Sequence, residues 1–394
     1  MKRLLLITEI IAPYRIPVFN ELARTSGVDM LVVFLAETDC SFRAWHVYKN
    51  EINFNYVVLP SWRIRVGSRM LLLGRGLSHQ LRRFAPDVII CGGYNYPASW
   101  QALFWAKRRR VPFVLWCESN RDDLRDEFFP MEMAKRAFIS RCSGFVVPGQ
   151  ASREFVREFV VNTSSIHIAP NAVDVDLFES SAKVARFDAQ ALRCQLKLPE
   201  RYLLFVGRLV AEKGIFDVVN AFASLKAEIR RGLSVVFVGR GGDEVALKEL
   251  ALKVLPGRVQ FAGFVQREEL PAYYALAEAL VLPTHSDPWG LVVNEAMACG
   301  LPVIVSDVAG CARDLVRNGW NGYVVKRGDV SGLASAIQKV IGVPGLLTEF
   351  GAHSAERIQA FSPRLCAAGL AAAAGIAAES AEAGLETLGE ATSV

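Results

Sequence analysis

Between Thr284 and Gly300 the chain reads THSDPWGLVVNEAMACG, and it places two carboxylates eight residues apart. The apolar run Leu280–Leu282 just ahead reads as a buried strand ending at Pro283. Asp287-Pro288 has the form of a helix start, with Asp as N-cap and Pro at the first helical position. From Gly290 the chain reads as helix, and Gly300-Leu301-Pro302 stops it. On that helix the i±3 and i±4 neighbours of Glu295 are Leu291, Val292, Ala298 and Cys299. Glu295 therefore leaves from an apolar face, where a carboxylate is costly without a partner. Two roles fit it: a core acid satisfied by an arginine, or a ligand carboxylate beside a helix N-terminus whose free N–H groups await an anion. For Asp287 the capping role alone is a sufficient account. A second constellation is Gly207-Arg208-Leu209-Val210-Ala211-Glu212-Lys213-Gly214. It follows the apolar strand Tyr202–Val206, so Gly207 permits a tight turn while Arg208 and Lys213 converge on one anion. Either cation alone would pass for surface charge.

These groups need a scaffold. With 394 residues the chain is too long for one ordinary core, and two domains follow. Hydrophobic residues make up 52% and charged residues 22%, the balance of a packed globular protein. Apolar strands are expected at 3–8, 29–35, 56–59, 88–91, 113–117 and 145–147, separated by helix-length segments such as 18–24. In the second half they recur at 202–206, 235–238, 259–261 and 303–306, with helices over 330–341, 346–359 and 361–374. Strands alternating with helices give an α/β chain of parallel sheets covered on both faces. Ligands of such sheets lie beyond the carboxyl ends of the strands. That draws attention to the loops Ala12–Arg15, Gly92–Tyr96 and Glu118–Arg121. The stretch 179–197 reads as linker and lead-in helix, and residues from about 376 as a frayed tail. No internal repeat is evident.

Two acids eight apart, with P-W-G after the first and E-A-M-A-C-G from the second, resemble the E-x7-E signature of family-4 retaining glycosyltransferases. G-R-L-x-x-x-K-G at 207–214 and P-N-A-V-D at 170–174 match further segments of that family. The resemblance is strong over 202–325 and weak over 1–170. It implies the GT-B architecture, two Rossmann-like doubly wound domains facing across a cleft. An acceptor-binding domain would occupy 1–175 and a nucleotide-sugar domain 176–360, with 361–394 as a crossover helix returning to the first domain and a tail. It further implies that Glu295 holds the ribose of a UDP- or GDP-sugar, Asp287 contacts the sugar, and Gly290, Leu291 and Val292 meet the phosphates. Arg208 and Lys213 would act on the leaving diphosphate. Gly207, Arg240, Phe264 and Val265 would line the donor site, the last three near the nucleobase. Asp287 stands where the family has Glu, and is one methylene shorter. The family's Gly-Gly pair is missing from the first loop, where Arg15 could supply a charge or cap a helix. Its histidine near the 118 loop is also missing; Glu118 stands there, as a candidate catalytic group or a solvated loop acid. Asp174-x-Asp176 reads as a turn, and neither metal nor cofactor is expected.

Residues 1–180 hold 23 Lys/Arg against 18 Asp/Glu, and residues 60–110 hold ten basic side chains against one acidic. The basic side chains are Arg63, Arg65, Arg69, Arg75, Arg82, Arg83 and Lys107–Arg110, interleaved with Trp62, Trp100, Phe104 and Trp105. Cations beside aromatics suit an anionic lipid surface. An ordinary solvated basic face is the plainer account, and no nucleic-acid motif accompanies the charge. The expected setting is the cytoplasm, peripheral on the inner face of the plasma membrane, with a glycan or lipid-linked acceptor of surface-polysaccharide synthesis. Glu9 interrupts the first apolar run and no small-residue cleavage site follows, so a signal peptide is not expected. No stretch reaches the length of a spanning helix. The eight cysteines lack C-x-x-C spacing and read as reduced core residues. A glycosyltransferase with a soluble small acceptor and a non-catalytic nucleotide-sugar binder are the alternatives. An epimerase would need a cleft carboxylate set that is not seen, and a phosphorylase a longer chain.

Overall fold

The computed structural model describes residues 1–38, 45–66, 69–122 and 129–376, apart from the side chains at 65–66, 69–71 and 129–130. The chain divides into two compact units. One holds Met1–Arg121 with residues 129–172 and 362–376; the other holds Val173–Phe361.

The first unit is built on β1 (Lys2–Thr8), β2 (Val28–Phe34), β3 (Asn55–Val58), β6 (Val88–Gly92), β7 (Phe113–Trp116), β8 (Gly144–Val147) and β9 (Ile166–Ile168). Between β3 and β6 lies a separate antiparallel hairpin, β4 (Ser61–Val66) with β5 (Arg69–Gly74). The seven strands pair in the order β3-β2-β1-β6-β7-β8-β9, all parallel. Their Val/Ile/Leu runs are buried because helices cover both faces. The helix Pro363–Ala373 packs on the helix Ile16–Arg24 and on β8 and β9. The tail beyond 376 lies outside the described residues.

The second unit carries β10 (Arg201–Val206), β11 (Leu233–Val238), β12 (Val259–Gly263), β13 (Ala279–Leu282), β14 (Val303–Ser306) and β15 (Gly322–Val325). They pair in parallel as β12-β11-β10-β13-β14-β15. Each sheet reverses its winding once, between β1 and β6 in the first and between β10 and β13 in the second. A crevice opens at such a switch point, beyond the carboxyl ends of the two strands.

Several expectations need correction. The stretch 179–197 is two helices, Val175–Phe187 and Ala189–Gln195. Asp174 does not shape a simple turn: its carboxylate accepts from Leu177 N at 3.1 Å and caps the first of them. The 60–75 stretch is a hairpin, and the alternation of apolar residues with arginines in Trp62-Arg63-Ile64-Arg65-Val66 is the strand period that should have revealed it. Of the cysteines, Cys91, Cys117, Cys299, Cys311 and Cys366 are buried and reduced, whereas Cys194 is exposed.

Candidate active site

At the second unit's switch point, the chain after β10 meets the chain after β13. The loop beyond Gly207 tightens into the turn Ala211–Lys213, and Gly214 takes φ +71° to start the helix Ile215–Ala223. A Cβ on Gly214 would fall 2.0 Å from Pro283 O, so only glycine seats this turn against the end of β13. The seat carries Lys213 inward. It is 9% exposed, and its Nζ donates to Ser286 O and to Asp287 Oδ2, both at 2.8 Å.

Asp287 is therefore not the N-cap of the following helix. Its other oxygen, Oδ1, accepts from Trp289 N at 3.1 Å, and the carboxylate clasps Lys213 across the site. The helix begins three residues later than Pro288 implies, at Leu291, with Gly290 at φ +94° as N-cap and no side-chain cap. A side chain on Gly290 would crowd Leu282 Cδ2 at 3.2 Å. The first-turn N–H groups of an uncapped helix have no intrahelical acceptor, so Gly290, Leu291 and Val292 offer amides beside a lysine. Trp289 is buried, its indole N–H donating to Asn294 Oδ1 at 2.8 Å, which braces the turn.

Arg208 and Lys213 do not share one partner. The guanidinium of Arg208 is about half exposed and lies 3.9 Å from Glu212. It is exposed where Lys213 is buried. Among the described residues no arginine pairs with Glu295. Tyr274 OH donates to its Oε2 at 2.7 Å. Burial raises the Glu295 carboxyl from 4.5 to about 7, against the lowering pull of that hydrogen bond. Burial and the adjacent acid push the Tyr274 phenol well up. Further along the sheet, Gly239 N donates to Gly263 O at 2.7 Å, joining the ends of β11 and β12. Arg240 lies beside Gly263, so Arg240, half-exposed Phe264 and buried Val265 come together as one wall.

The first unit's switch point holds a second cluster. Arg15 donates to Thr8 Oγ1 at 2.8 Å, at the carboxyl end of β1, and to Glu118 Oε1 at 2.9 Å, beyond β7. Its guanidinium covers the Trp116 ring at 4.4 Å. Burial is the largest influence and works against the Arg15 charge, but Glu118, Tyr14, Cys366 and Glu9 together outweigh it and the pKa is raised. Arg15 stands at the N-cap position of the helix Ile16–Arg24, but its side chain makes no capping hydrogen bond and is paired with Glu118, itself only partly exposed. Each is the other's partner, within the first unit.

Comparison with known proteins bears on this geometry. The family model described as Glycosyltransferase Family 4 matches residues 19–177, and that described as Glycosyl transferases group 1 matches 190–357. The chain is 33% identical over 176 residues to a glycogen synthase of Mycobacterium tuberculosis, covering 44% of this chain and 42% of that one. It is 32% identical over 216 residues to a D-inositol 3-phosphate glycosyltransferase of Xylanimonas cellulosilytica, covering 53% and 51%. Among solved structures, HepE of Anabaena in complex with UDP superposes with TM-score 0.73 at 20% identity, covering 94% of this chain and 99% of that one. Sucrose-phosphate synthase of Thermosynechococcus elongatus gives 0.72 at 20%, covering 94% and 98%. The chain belongs to the family-4 glycosyltransferases. Its fold is GT-B, with two Rossmann-like parallel-sheet domains. The chain matches about half the length of those curated relatives.

For a family-4 glycosyltransferase, three participants escaped the sequence reading. Tyr274 was hidden inside an apolar helix, Leu270–Ala275. Asp217 lies in the first turn of the helix Ile215–Ala223, where the helix dipole alone accounts for an acid. His285 is one of five histidines in the chain and sits inside the signature stretch itself, a position that should have marked it. Its Nε2 lies 2.6 Å from Asp217 Oδ2.

Proposed function

We propose that this glycosyltransferase moves a sugar, with retention at the anomeric carbon, from a UDP- or GDP-sugar to a lipid-linked glycan on the cytoplasmic face of a membrane. The observation that carries the donor half is the pairing of Lys213 with the uncapped helix start at Gly290, both at the β10/β13 switch point. A lysine and free amides converging there suit a diphosphate. As the glycosidic bond breaks, positive charge grows on the sugar ring and negative charge on the departing phosphate. Lys213, Arg208 and the amides of Gly290–Val292 stand where they can meet the negative charge. No metal is required for that task. Glu295 accepts from the ribose hydroxyls with the oxygen that Tyr274 leaves unused, and Arg240, Phe264 and Val265 receive the base. Glu118, held by Arg15, belongs to the acceptor-binding unit.

The lipid half rests on the patch around the hairpin. Trp62, Ile64 and Phe104 are exposed, Arg75 covers the Trp62 ring at 4.0 Å, and β5 packs on the helix Pro97–Arg109 that ends in Lys107–Arg109. Arg82 and Arg83 are exposed nearby; the side chains of Arg65 and Arg69 lie outside the described residues. WaaG, which shares the fold at TM-score 0.64 and 17% identity, is a glycosyltransferase involved in lipopolysaccharide biosynthesis. The test is a panel of nucleotide sugars. One of them should raise the melting temperature by mass action and then be consumed with a polyprenyl-phosphate-linked acceptor. Stabilisation without turnover on lipid-linked or soluble acceptors would leave a binding protein, and no stabilisation would remove the reading.

A further inference from the structure

A second side-chain pair closes the loop that holds Lys213. His285 Nε2 lies 2.6 Å from Asp217 Oδ2, which joins the chain after β13 to the first turn of the helix Ile215–Ala223. The backbone around it is cross-tied. His285 N donates to Glu212 O at 2.7 Å, and Thr284 Oγ1 lies 3.2 Å from the same oxygen and 2.9 Å from Ser286 O. Asp217 N donates to Gly214 O at 3.1 Å. Lys213 stands between the two halves of this closure. The residue after it caps the helix that carries Asp217, and its amine is bound by Ser286 and Asp287, the two residues after His285.

We infer that the His285–Asp217 pair is a latch that positions Lys213 for the departing diphosphate. The inference rests on the sugar-transfer reading above. A lysine side chain is a flexible stem ending in a point charge, so its amine is fixed only if both of its acceptors are fixed. Two of the three ammonium N–H groups go to Ser286 and Asp287; the third remains for a ligand. If the 284–287 loop drifts from the helix, both acceptors drift with it and the third N–H loses its aim. His285 contacts no reacting atom in this scheme, so it is a positioning residue. Displacement of a catalytic group by about 1 Å can cost about a hundredfold in rate.

Steady-state kinetics and amine footprinting on the full chain test the latch together. His285→Ala and Asp217→Leu should each lower kcat about tenfold or more, with the donor KM nearly unchanged. The double variant should be little worse than either single one, since both break the same contact. His285→Gln, which returns an N–H near the Nε2 position, should recover most of the rate; a loss of general stability would not be rescued in this way. Limiting acetic anhydride followed by peptide mass spectrometry reads the lysine directly. Lys213 should be protected in the wild type and acetylated several-fold faster in His285→Ala, or in Asp217→Leu should the first fail to fold. Wild-type kcat and wild-type protection of Lys213 in these variants would overturn the latch. If Lys213 loses its protection while the wild type transfers sugar from no donor, the latch stands and the sugar-transfer reading falls.

Discussion

At the scale of single residues, the decisive contrast is between groups whose surroundings change during reaction and groups whose surroundings do not. Ribose hydroxyls are the same in ground and transition states, so Glu295→Gln should mainly raise the donor KM. The diphosphate gains charge only as the bond breaks, so Arg208→Ala and Lys213→Ala should lower kcat by about 10²–10³. Full kcat in either cation variant, under donor saturation, removes that assignment. Chelators should leave the rate unchanged; complete loss restored by magnesium or manganese would show that the cations do not suffice. Glu295 also sets a pH dependence. Its carboxyl is raised from 4.5 to about 7, chiefly by burial. Between those values the folded protein binds more protons than the unfolded chain, so its stability falls as pH rises through the window. A shift of that size corresponds to something on the order of 3 kcal/mol. Glu295→Gln should flatten this slope in denaturant titrations at pH 5 and pH 8. Hydroxyl donors prefer the carboxylate, so donor binding should be tighter at pH 8 than at pH 6. The diphosphate diester of a nucleotide sugar stays ionised across that range and cannot produce the trend itself. Calorimetric affinities that are equal at both pH values, or tighter at pH 6, would remove Glu295 from the donor contact.

At the scale of elements, strands buried on both faces were legible because their Val/Ile/Leu runs are unbroken. Val303–Ser306 coincides with its expected bounds, and β7 and β8 differ by one residue. What could not be read was the outcome of competition for one side chain. Asp287 has the residue type and the following proline of an N-cap, yet Lys213, 74 positions away in sequence, takes its carboxylate and Gly290 stands at the N-cap instead. Glu295 was recognisable as an acid needing a partner, but the partner came from a tyrosine rather than an arginine, and sequence carries no distance between them. Arg15 and Glu118 each looked solitary because 103 positions separate them. Glycine was informative for a different reason, since it marks close approach. Gly214→Ala must place a Cβ against Pro283 O and hold alanine at φ +71°. A non-glycine residue forced into a left-handed conformation costs about 1–3 kcal/mol, and the contact with Pro283 adds to that. We expect a lower melting temperature and, because Lys213 precedes this glycine, a lower kcat. Wild-type values for both would mean that the turn is not what seats the lysine.

At the scale of the whole molecule, charge is segregated. Net charge on residues 1–180 accounts for the entire +5 of the chain, and its densest part surrounds a hairpin with exposed Trp62 and Ile64 and a helix with exposed Phe104. Among the described residues no single helix is long and apolar enough to cross a membrane. Each lysine or arginine close to an anionic leaflet contributes about 1 kcal/mol, and the attraction decays within a Debye length of about 10 Å at 0.1 M salt. A few exposed cations acting together therefore give binding that is real at low salt and reversible at high salt. The apolar side chains add a contribution that salt does not screen. Co-sedimentation with vesicles should accordingly show binding to phosphatidylserine or phosphatidylglycerol mixtures, little binding to neutral vesicles, and steep loss as salt rises. Neutralising Lys107–Arg110 together with Arg63 should abolish most of the binding at low salt. Trp62→Ala should weaken it by a smaller factor that is nearly independent of salt, because it removes the unscreened part. Equal binding to neutral and anionic vesicles, or binding indifferent to the charge substitutions, would return this patch to an ordinary solvated face. The acceptor would then have to be sought among soluble glycans.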